Sequence, residues 1–170
     1  AWKREDLGGR STPIVMNGKL YTILRADPGT STEGERIVCV DAATGKDVWQ
    51  SRHNVWSSDV PDTRVGWSSV VGDPETGNVY ALGACGLFEG YDGKTGKVLW
   101  SHPLHEEMGL VTTYGGRTNF PVVVDDLVLL ELGQRGEQPI GVAAEHVRTR
   151  QVHLHLHVGG NRPEDRAHVA

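Results

Sequence analysis

The segment Asp41-Ala42-Ala43-Thr44-Gly45-Lys46-Asp47-Val48-Trp49 recurs as Asp92-Gly93-Lys94-Thr95-Gly96-Lys97-Val98-Leu99-Trp100. The aspartate, the Thr-Gly-Lys triplet and the tryptophan are each displaced by 51 positions (92 − 41, 96 − 45, 100 − 49). A constant offset across such a motif requires a repeated structural unit. It constrains the fold far more than the function.

Around the repeat, short β-rich runs alternate with Gly, Asp, Asn and Pro turns over the first three quarters of the chain, and helical periodicity is nowhere sustained. The expected fold class is all-β, a partial propeller of four-stranded antiparallel blades, because a period near 50 residues is the signature of such a blade. The first blade is predicted as Pro13 to Met16, a turn at Asn17-Gly18, Lys19 to Leu24, Arg36 to Val40 and Asp47 to Arg52. Asn-Gly is the strongest short hairpin signal. The second blade is predicted as Ser68 to Val71, a turn through Asp73 to Gly77, Asn78 to Leu82, Leu87 to Tyr91 and Lys97 to Ser101. A third begins with Phe120 to Val124, a turn at Asp125-Asp126 and Leu127 to Leu130, without a recognisable second half. The corresponding domains are a repeat region over 1–132 and a non-repeat tail over 133–170.

The repeated element has a local rationale that involves no chemistry. Asp41 and Asp92 can accept hydrogen bonds from turn amides, and Gly45 and Gly96 supply the positive φ a hairpin needs. Trp49 and Trp100, on the outer strand, are placed to lie against a neighbouring blade, each burying up to roughly 150–250 Å². At about 25 cal/mol per Å² that bounds their contribution at roughly 4–6 kcal/mol each. They are expected to join blades, not to stack on a cofactor.

Composition narrows the partners. The chain of 170 residues carries a formal net charge of −5 with 38% hydrophobic residues and no polybasic segment, so a nucleic-acid or anionic-lipid partner is not expected. Apolar runs such as Leu127-Val128-Leu129-Leu130 are strand-sized, far short of the roughly 20 residues of a membrane-spanning helix. The opening Ala1-Trp2-Lys3-Arg4-Glu5-Asp6 lacks the order of a secretory signal and reads as mid-protein, which leaves export open. Cys39 and Cys85 sit far apart in strand-like stretches and are expected to be two buried thiols.

The doubled motif resembles the tryptophan-docking repeats of the pyrroloquinoline quinone (PQQ) dehydrogenase-like β-propellers, a superfamily that includes the BamB-type outer-membrane assembly lipoproteins. The likeness covers about residues 10 to 130. The stretch from Arg64-Val65-Gly66-Trp67 through Gly115-Gly116-Arg117-Thr118-Asn119-Phe120-Pro121 resembles bacterial PQQ-binding-like repeat proteins. Such propellers commonly have seven or eight blades, so the resemblance implies a fragment of a larger ring, whose remaining blades lie outside this chain.

After about Glu131 the character changes. Residues 133–170 contain no Trp, Tyr, Phe or Lys, yet hold five of the eight histidines and five arginines, and no third motif appears near position 143 (92 + 51). A frameshift in a GC-rich coding sequence or a divergent C-terminus would each give this composition, and the frameshift is the preferred reading. Val152-His153-Leu154-His155-Leu156-His157-Val158 alternates strictly, so a strand there would align three imidazoles on one face. Zinc sites usually draw ligands from different elements with carboxylates behind them, so a solvated strand face or disorder is the expectation.

The usual propeller path puts the turns between first and second strands, and between third and fourth, on one face. All the long connections fall on the other face, at about Arg25 to Glu35, His53 to Trp67 and His102 to Asn119, and the short turns are expected opposite. Loops on a rigid scaffold concentrate binding residues. The candidates are Asp59, Asp62, Arg64 and Trp67 from one crossing, and His105, Glu106, Arg117 and Asn119 from the next. Each is individually expected to brace a loop more than to touch a ligand. His102-Pro103-Leu104-His105-Glu106-Glu107 resembles a zinc-hydrolase signature only superficially, because its histidines are three apart and separated by proline. Gly115-Gly116-Arg117 lacks the following helix that would aim amides at a phosphate.

Two main functions follow from the resemblance, beside a sensor or carbohydrate-binding propeller without redox activity. One is a non-catalytic, BamB-like scaffold of the periplasm or cell envelope, with no cofactor and a protein or small ligand on the loop face. The other is a fragment of a quinoprotein dehydrogenase holding PQQ and Ca²⁺ on the propeller axis. The resemblance would then imply a catalytic Asp, calcium-binding oxygens and often a vicinal cysteine pair. Cys39 and Cys85 are not adjacent, and no aspartate maps onto a catalytic motif. The scaffold is the expectation and the dehydrogenase its alternative.

Overall fold

A computed structural model describes residues 1–55, 64–107, 119–132, 141–146 and 152–153. It divides into two compact units, Ala1–Pro121 and Val122–Ala170. The first opens with a 3-10 turn at Glu5–Leu7 and holds two four-stranded antiparallel sheets. One sheet comprises β1 (Ile14–Met16), β2 (Lys19–Ala26), β3 (Gly34–Asp41) and β4 (Asp47–Asn54). The other comprises β5 (Val71–Gly72), β6 (Asn78–Leu82), β7 (Leu87–Asp92) and β8 (Val98–Pro103), followed by one helical turn, α1 (Leu104–Glu107). In both, spatial order equals sequence order.

Patterning explains the packing. On β2 and β3, Tyr21, Ile23, Ile37 and Cys39 point to one face and form a core with Val70, just before β5, and with Val79, Ala81 and Tyr91 of the second sheet. Leu24, Val38 and Val40 point the other way and pack with Leu20 and Leu7 of the N-terminal segment. Two covered faces account for the nearly continuous burial of these strands. The outer strand β4 alternates exposed and half-buried residues, as a strand at a sheet edge should. The strands β1 and β5 approach so closely that a Cβ on Gly72 would lie 2.9 Å from Ile14 Cδ1.

The 51-residue repeat is a repeat of backbone defects as well as of residues. Register shifts between Cys39 and Val40 in one sheet and between Gly90 and Tyr91 in the other, immediately before each motif aspartate. Such a bulge re-aims the strand as it enters the turn. Asn17 and Gly18 both have positive φ, 51° and 72°, which fits the two-residue hairpin that Asn-Gly predicts.

The second unit holds a further four-stranded antiparallel sheet: β9 (Val122–Val124), β10 (Leu127–Leu132), β11 (Gly141–His146) and β12 (Val152–His153), in that order. Val128 and Leu130 are fully buried. The third repeat was expected to stop after two strands, but the sheet takes two more from the segment read as a tail. Gly141-Val142-Ala143-Ala144 lacks the bulky alternation that marks the other strands, and no Asp-Thr-Gly turn follows it. Of the alternating histidines, His153 lies in β12, whereas His155 and His157 lie outside the described residues. Among the described residues no helix is long and apolar enough to cross a membrane.

Candidate functional site

The sheets have two distinct ends. The Ala42 amide donates to Gly18 O at 2.9 Å, so the β1–β2 and β3–β4 turns lie side by side at one end. At this turn end the repeated motif closes on itself. Asp41 Oδ1 accepts from the Thr44 amide and hydroxyl, both at 2.7 Å, while the Gly45 amide reaches Asp41 O at 2.8 Å. Asp92 does the same with Thr95 and Gly96 at 2.8, 3.0 and 2.8 Å. These bonds, led for Asp41 by the Thr44 side chain and for Asp92 by the Thr95 amide, hold both carboxyls below their ordinary pKa.

Trp49 then joins one repeat to the next. Its indole N–H donates to Gly93 O at 3.0 Å, and the Tyr21 hydroxyl donates to the same carbonyl at 3.0 Å. The ring stacks on Tyr91 at 6.0 Å, and a Cβ on Gly96 would sit 2.6 Å from it. Trp2 repeats this arrangement one unit earlier. Its N–H donates to Ala42 O at 3.0 Å, and a Cβ on Gly45 would meet its ring at 2.6 Å. Sequence reasoning missed Trp2 because no Asp-x-x-Thr-Gly turn stands before it in the sequence; the 47-residue spacing to Trp49 was the available signal. It also missed that Asp73-Pro74-Glu75-Thr76-Gly77 spells the same turn, with Thr76 Oγ1 on Asp73 Oδ2 and the Gly77 amide on Asp73 O at 2.8 Å. Trp100 lies against Tyr80 and Phe88 of its own sheet, with ring centroids at 5.8 and 4.9 Å.

The opposite, loop end is organised by a carboxylate. Glu35, completely buried, accepts from the Gly66 amide at 2.7 Å and the Ala84 amide at 2.9 Å, and pairs with His53 Nε2 at 2.9 Å. It thereby ties β3, β4, the crossing into the second sheet and the β6–β7 turn together. That turn, Gly83–Gly86, is short, which corrects the expectation that every short turn lies opposite. It must be small, since a Cβ on Gly83 would lie 2.6 Å from His53 Nε2 and 2.7 Å from Glu35 Oε2. With no exposed surface, Glu35 is a brace and not an acid or base that substrate can touch.

Of the candidate residues, Arg64 and Trp67 meet: the Arg64 guanidinium lies 4.1 Å from the Trp67 ring centroid, and Arg10 approaches the same ring at 4.8 Å. His105 and Glu106 pair with each other at 3.3 Å, beside His102 and Glu107 at 3.0 Å. The Asn119 main-chain oxygen accepts from Ser68 Oγ at 3.1 Å. Asp59, Asp62, Arg117 and the Gly115-Gly116 pair lie outside the described residues.

Two adjoining cavities open at the loop end of the first sheet. One, of about 380 Å³, is lined by Arg10, Arg25 and Arg36 with Asp6, Leu24 and Gly66 among its other walls. The second, of about 350 Å³, shares Arg25, Pro28 and Arg36 and adds Asp27, Gln50 and Arg52. Most charges here are matched. Arg25 pairs with Glu33 at 2.6 Å, and Arg52 with Asp27 at 3.1 Å, with a further bond to Thr32 O. Arg4 grips both Asp6 oxygens at 2.7 Å, which draws that carboxyl down to about 2. Arg36 donates to Asp6 O at 2.8 Å and to Gln50 Oε1 at 3.5 Å, and its charge adds to the pull on the Asp6 carboxyl.

Sheets of four sequential antiparallel strands, packed face to face and repeating turn and bulge at a fixed offset, define a partial β-propeller. Residues 33–146, more than half of the chain, match the family described as outer membrane protein assembly factor BamB, and the chain belongs to that family. No curated protein matches it. Among solved structures, it is similar to a quinohemoprotein alcohol dehydrogenase from Comamonas testosteroni, with TM-score 0.57 and 19% identity over 85% of this chain and 20% of that one. It is similar to the quinohemoprotein alcohol dehydrogenase ADHIIG from Pseudomonas putida, with TM-score 0.58 and 24% identity over 86% and 20%. BamB from Moraxella catarrhalis gives TM-score 0.49 and 16% identity over 85% and 37%. The chain spans about a fifth of the length of the two dehydrogenases, and at these identities the likeness is one of fold.

A calcium site takes six to eight oxygen ligands. Among the described residues no three His, Cys, Asp or Glu side chains converge, and Cys39 and Cys85 are separate buried cysteines outside any disulfide.

Proposed function

We propose that the chain is a segment of a PQQ-like β-propeller that acts as a binding scaffold of the cell envelope, taking a protein partner or small ligand on its loop face, without catalysis of its own. The observation that carries this reading is the Glu35 brace: one buried carboxylate fixes the crossing, the β6–β7 turn and the end of β4 to one another. The acid and base side chains described there are engaged in such contacts, while Arg64, Trp67 and the arginine-lined cavities form a surface suited to recognition. The envelope location rests on the family's description as an outer-membrane assembly factor. In this reading Trp2 and Trp49 are the tryptophan-docking residues of the repeat, and no PQQ is bound.

The test has two arms. Intact protein mixed with PQQ and Ca²⁺ should show no bound-quinone absorbance and no dye-linked alcohol oxidation; a clear signal in either would make the dehydrogenase the correct reading. Alanine scanning of Asp59, Asp62, Arg64, Trp67, His105, Glu106, Arg117 and Asn119 should weaken ligand or partner binding. Binding lost only through turn-end residues such as Lys46 or Lys94 would refute the loop-face assignment.

A further inference from the structure

We infer that the Asn17-Gly18 turn is a site of backbone modification, at which the Asn17 carboxamide is lost through a cyclic imide and the main chain is left in an isoaspartyl linkage that releases β1. The inference concerns the turn end and stands apart from the loop-face reading.

Asn17 is the one asparagine of the chain that a glycine follows; Asn54, Asn78, Asn119 and Asn161 precede Val, Val, Phe and Arg. The reaction begins when the Gly18 amide nitrogen attacks Asn17 Cγ, and a glycine has no Cβ to hinder that approach. Both residues are exposed, and a Cβ on Gly18 would meet nothing within 4 Å. Among the described residues neither the Asn17 carboxamide nor the Gly18 amide makes a hydrogen bond. The one Asp-Gly step, Asp92-Gly93, is defended instead: the Lys94 and Thr95 amides hold the Asp92 carboxylate at 2.9 and 2.8 Å, and Gly93 is buried.

At Asn17 the bond from the Gly18 nitrogen to Cγ forms as the Cγ–Nδ2 bond breaks, and the amide proton leaves with ammonia. Water then opens the imide at the side-chain carbonyl, giving an aspartyl residue, or at the main-chain carbonyl, giving an isoaspartyl one. Positive φ at both centre residues, 51° and 72°, is the type I′ pattern. A left-handed residue in that turn sends the next amide to the far side of its Cα–C bond from Cβ, so the ring closes only when the hairpin opens locally. Asp-Gly fits the same turn. The isoaspartyl product instead carries the main chain through Cβ, adds an atom to a two-residue loop, and breaks the Met16↔Lys19 register that the turn sets. Only three residues make up β1, and its Ile14 and Met16 pack on the core and reach within 2.9 and 3.0 Å of where a Gly72 Cβ would stand, so its release uncovers that packing.

Intact protein held at pH 8, in buffer and unfolded in urea, tests this. Trypsin releases Ser11–Lys19, in which Asn17 is the only asparagine. Both samples should show the mass gain of amide-to-acid exchange in that peptide, as separate aspartyl and isoaspartyl forms, with none at Asn54 or Asn78. The rate in buffer should be about tenfold or more below that in urea, each tenfold marking about 1.4 kcal/mol of local opening. Folded protein carrying the isoaspartyl form, detected by isoaspartate-specific methylation, should unfold at lower urea than unmodified protein, while Asn17→Asp should keep the wild-type midpoint. No gain in buffer over a hundred half-times of the urea sample, equal rates in the two, equal gain at Asn54 and Asn78, or an isoaspartyl form with the wild-type midpoint would overturn the inference.

Discussion

Gly18 and Gly96 share a φ of 72° but not a neighbourhood: a Cβ on Gly18 meets nothing within 4 Å, while one on Gly96 strikes the Trp49 ring at 2.6 Å. Gly18→Ala should therefore cost only the left-handed backbone penalty, about 1–2 kcal/mol. Gly96→Ala should add overpacking, for about 2–5 kcal/mol in total. Urea unfolding of the two variants checks the difference, and equal losses would mean that the indole does not sit on the turn. Glu35→Ala strands two buried amides and a histidine, so it should destabilise by about 3–5 kcal/mol, an outlier among single carboxylate replacements. Burial lifts the Cys39 thiol to about 11 and the Tyr21 hydroxyl to about 12, from 9.0 and 10.0. The native state thus holds these protons longer, and the stability they represent is intact below about pH 9 and lost as pH rises through those values. Native protein at pH 8 should react with a thiol reagent only as fast as it unfolds; rapid labelling would contradict the packing around Cys39.

At the scale of elements, the Asp-x-x-Thr-Gly turn is the unit that the sequence encodes most completely. Its acceptor, donors and positive-φ glycine lie within five residues, so spacing alone reports the geometry, and the same five-residue turn serves both the β5–β6 and the β7–β8 hairpins. Because Asp41 and Asp92 are held below their usual value of 3.8, each contributes stability that is present above that pH and is lost as pH falls through its native value. The stability gap between wild type and Asp92→Asn should consequently shrink between pH 6 and pH 3, measured by denaturant midpoints. A gap independent of pH would show that the charge on Asp92 plays no part. Strand existence was equally legible where β-branched and aromatic residues alternate. Small residues hid β11, since Ala143 and Ala144 carry no periodic signal. The loop-end brace was not legible, because Glu35, His53, Gly66 and Ala84 are unpatterned in sequence and meet only once two sheets have packed.

For the molecule as a whole, the repeat identified the architecture because each blade must bury its faces against the next. Val15, Val48 and Val98, on the strands β1, β4 and β8, remain 66%, 43% and 40% exposed. Unpaired strand edges carrying such residues invite further pairing. The isolated chain should accordingly self-associate as concentration rises in light-scattering chromatography; a sharp monomer peak with cooperative melting would count against its being part of a larger ring. Function was less legible than fold, since the arginines around the cavities come from four separate segments and meet only when these have packed.

Tryptophans lock each repeat onto the turn of the next, and a double-mutant cycle between Trp49→Ala and Gly96→Ala measures that lock directly. Trp49→Ala alone should cost about 3–5 kcal/mol. With the indole gone, Gly96→Ala should fall to the Gly18→Ala level, giving a coupling of about 1–3 kcal/mol, and Trp2→Ala with Gly45→Ala should behave alike. Additivity within about 0.3–0.5 kcal/mol at both pairs would contradict it.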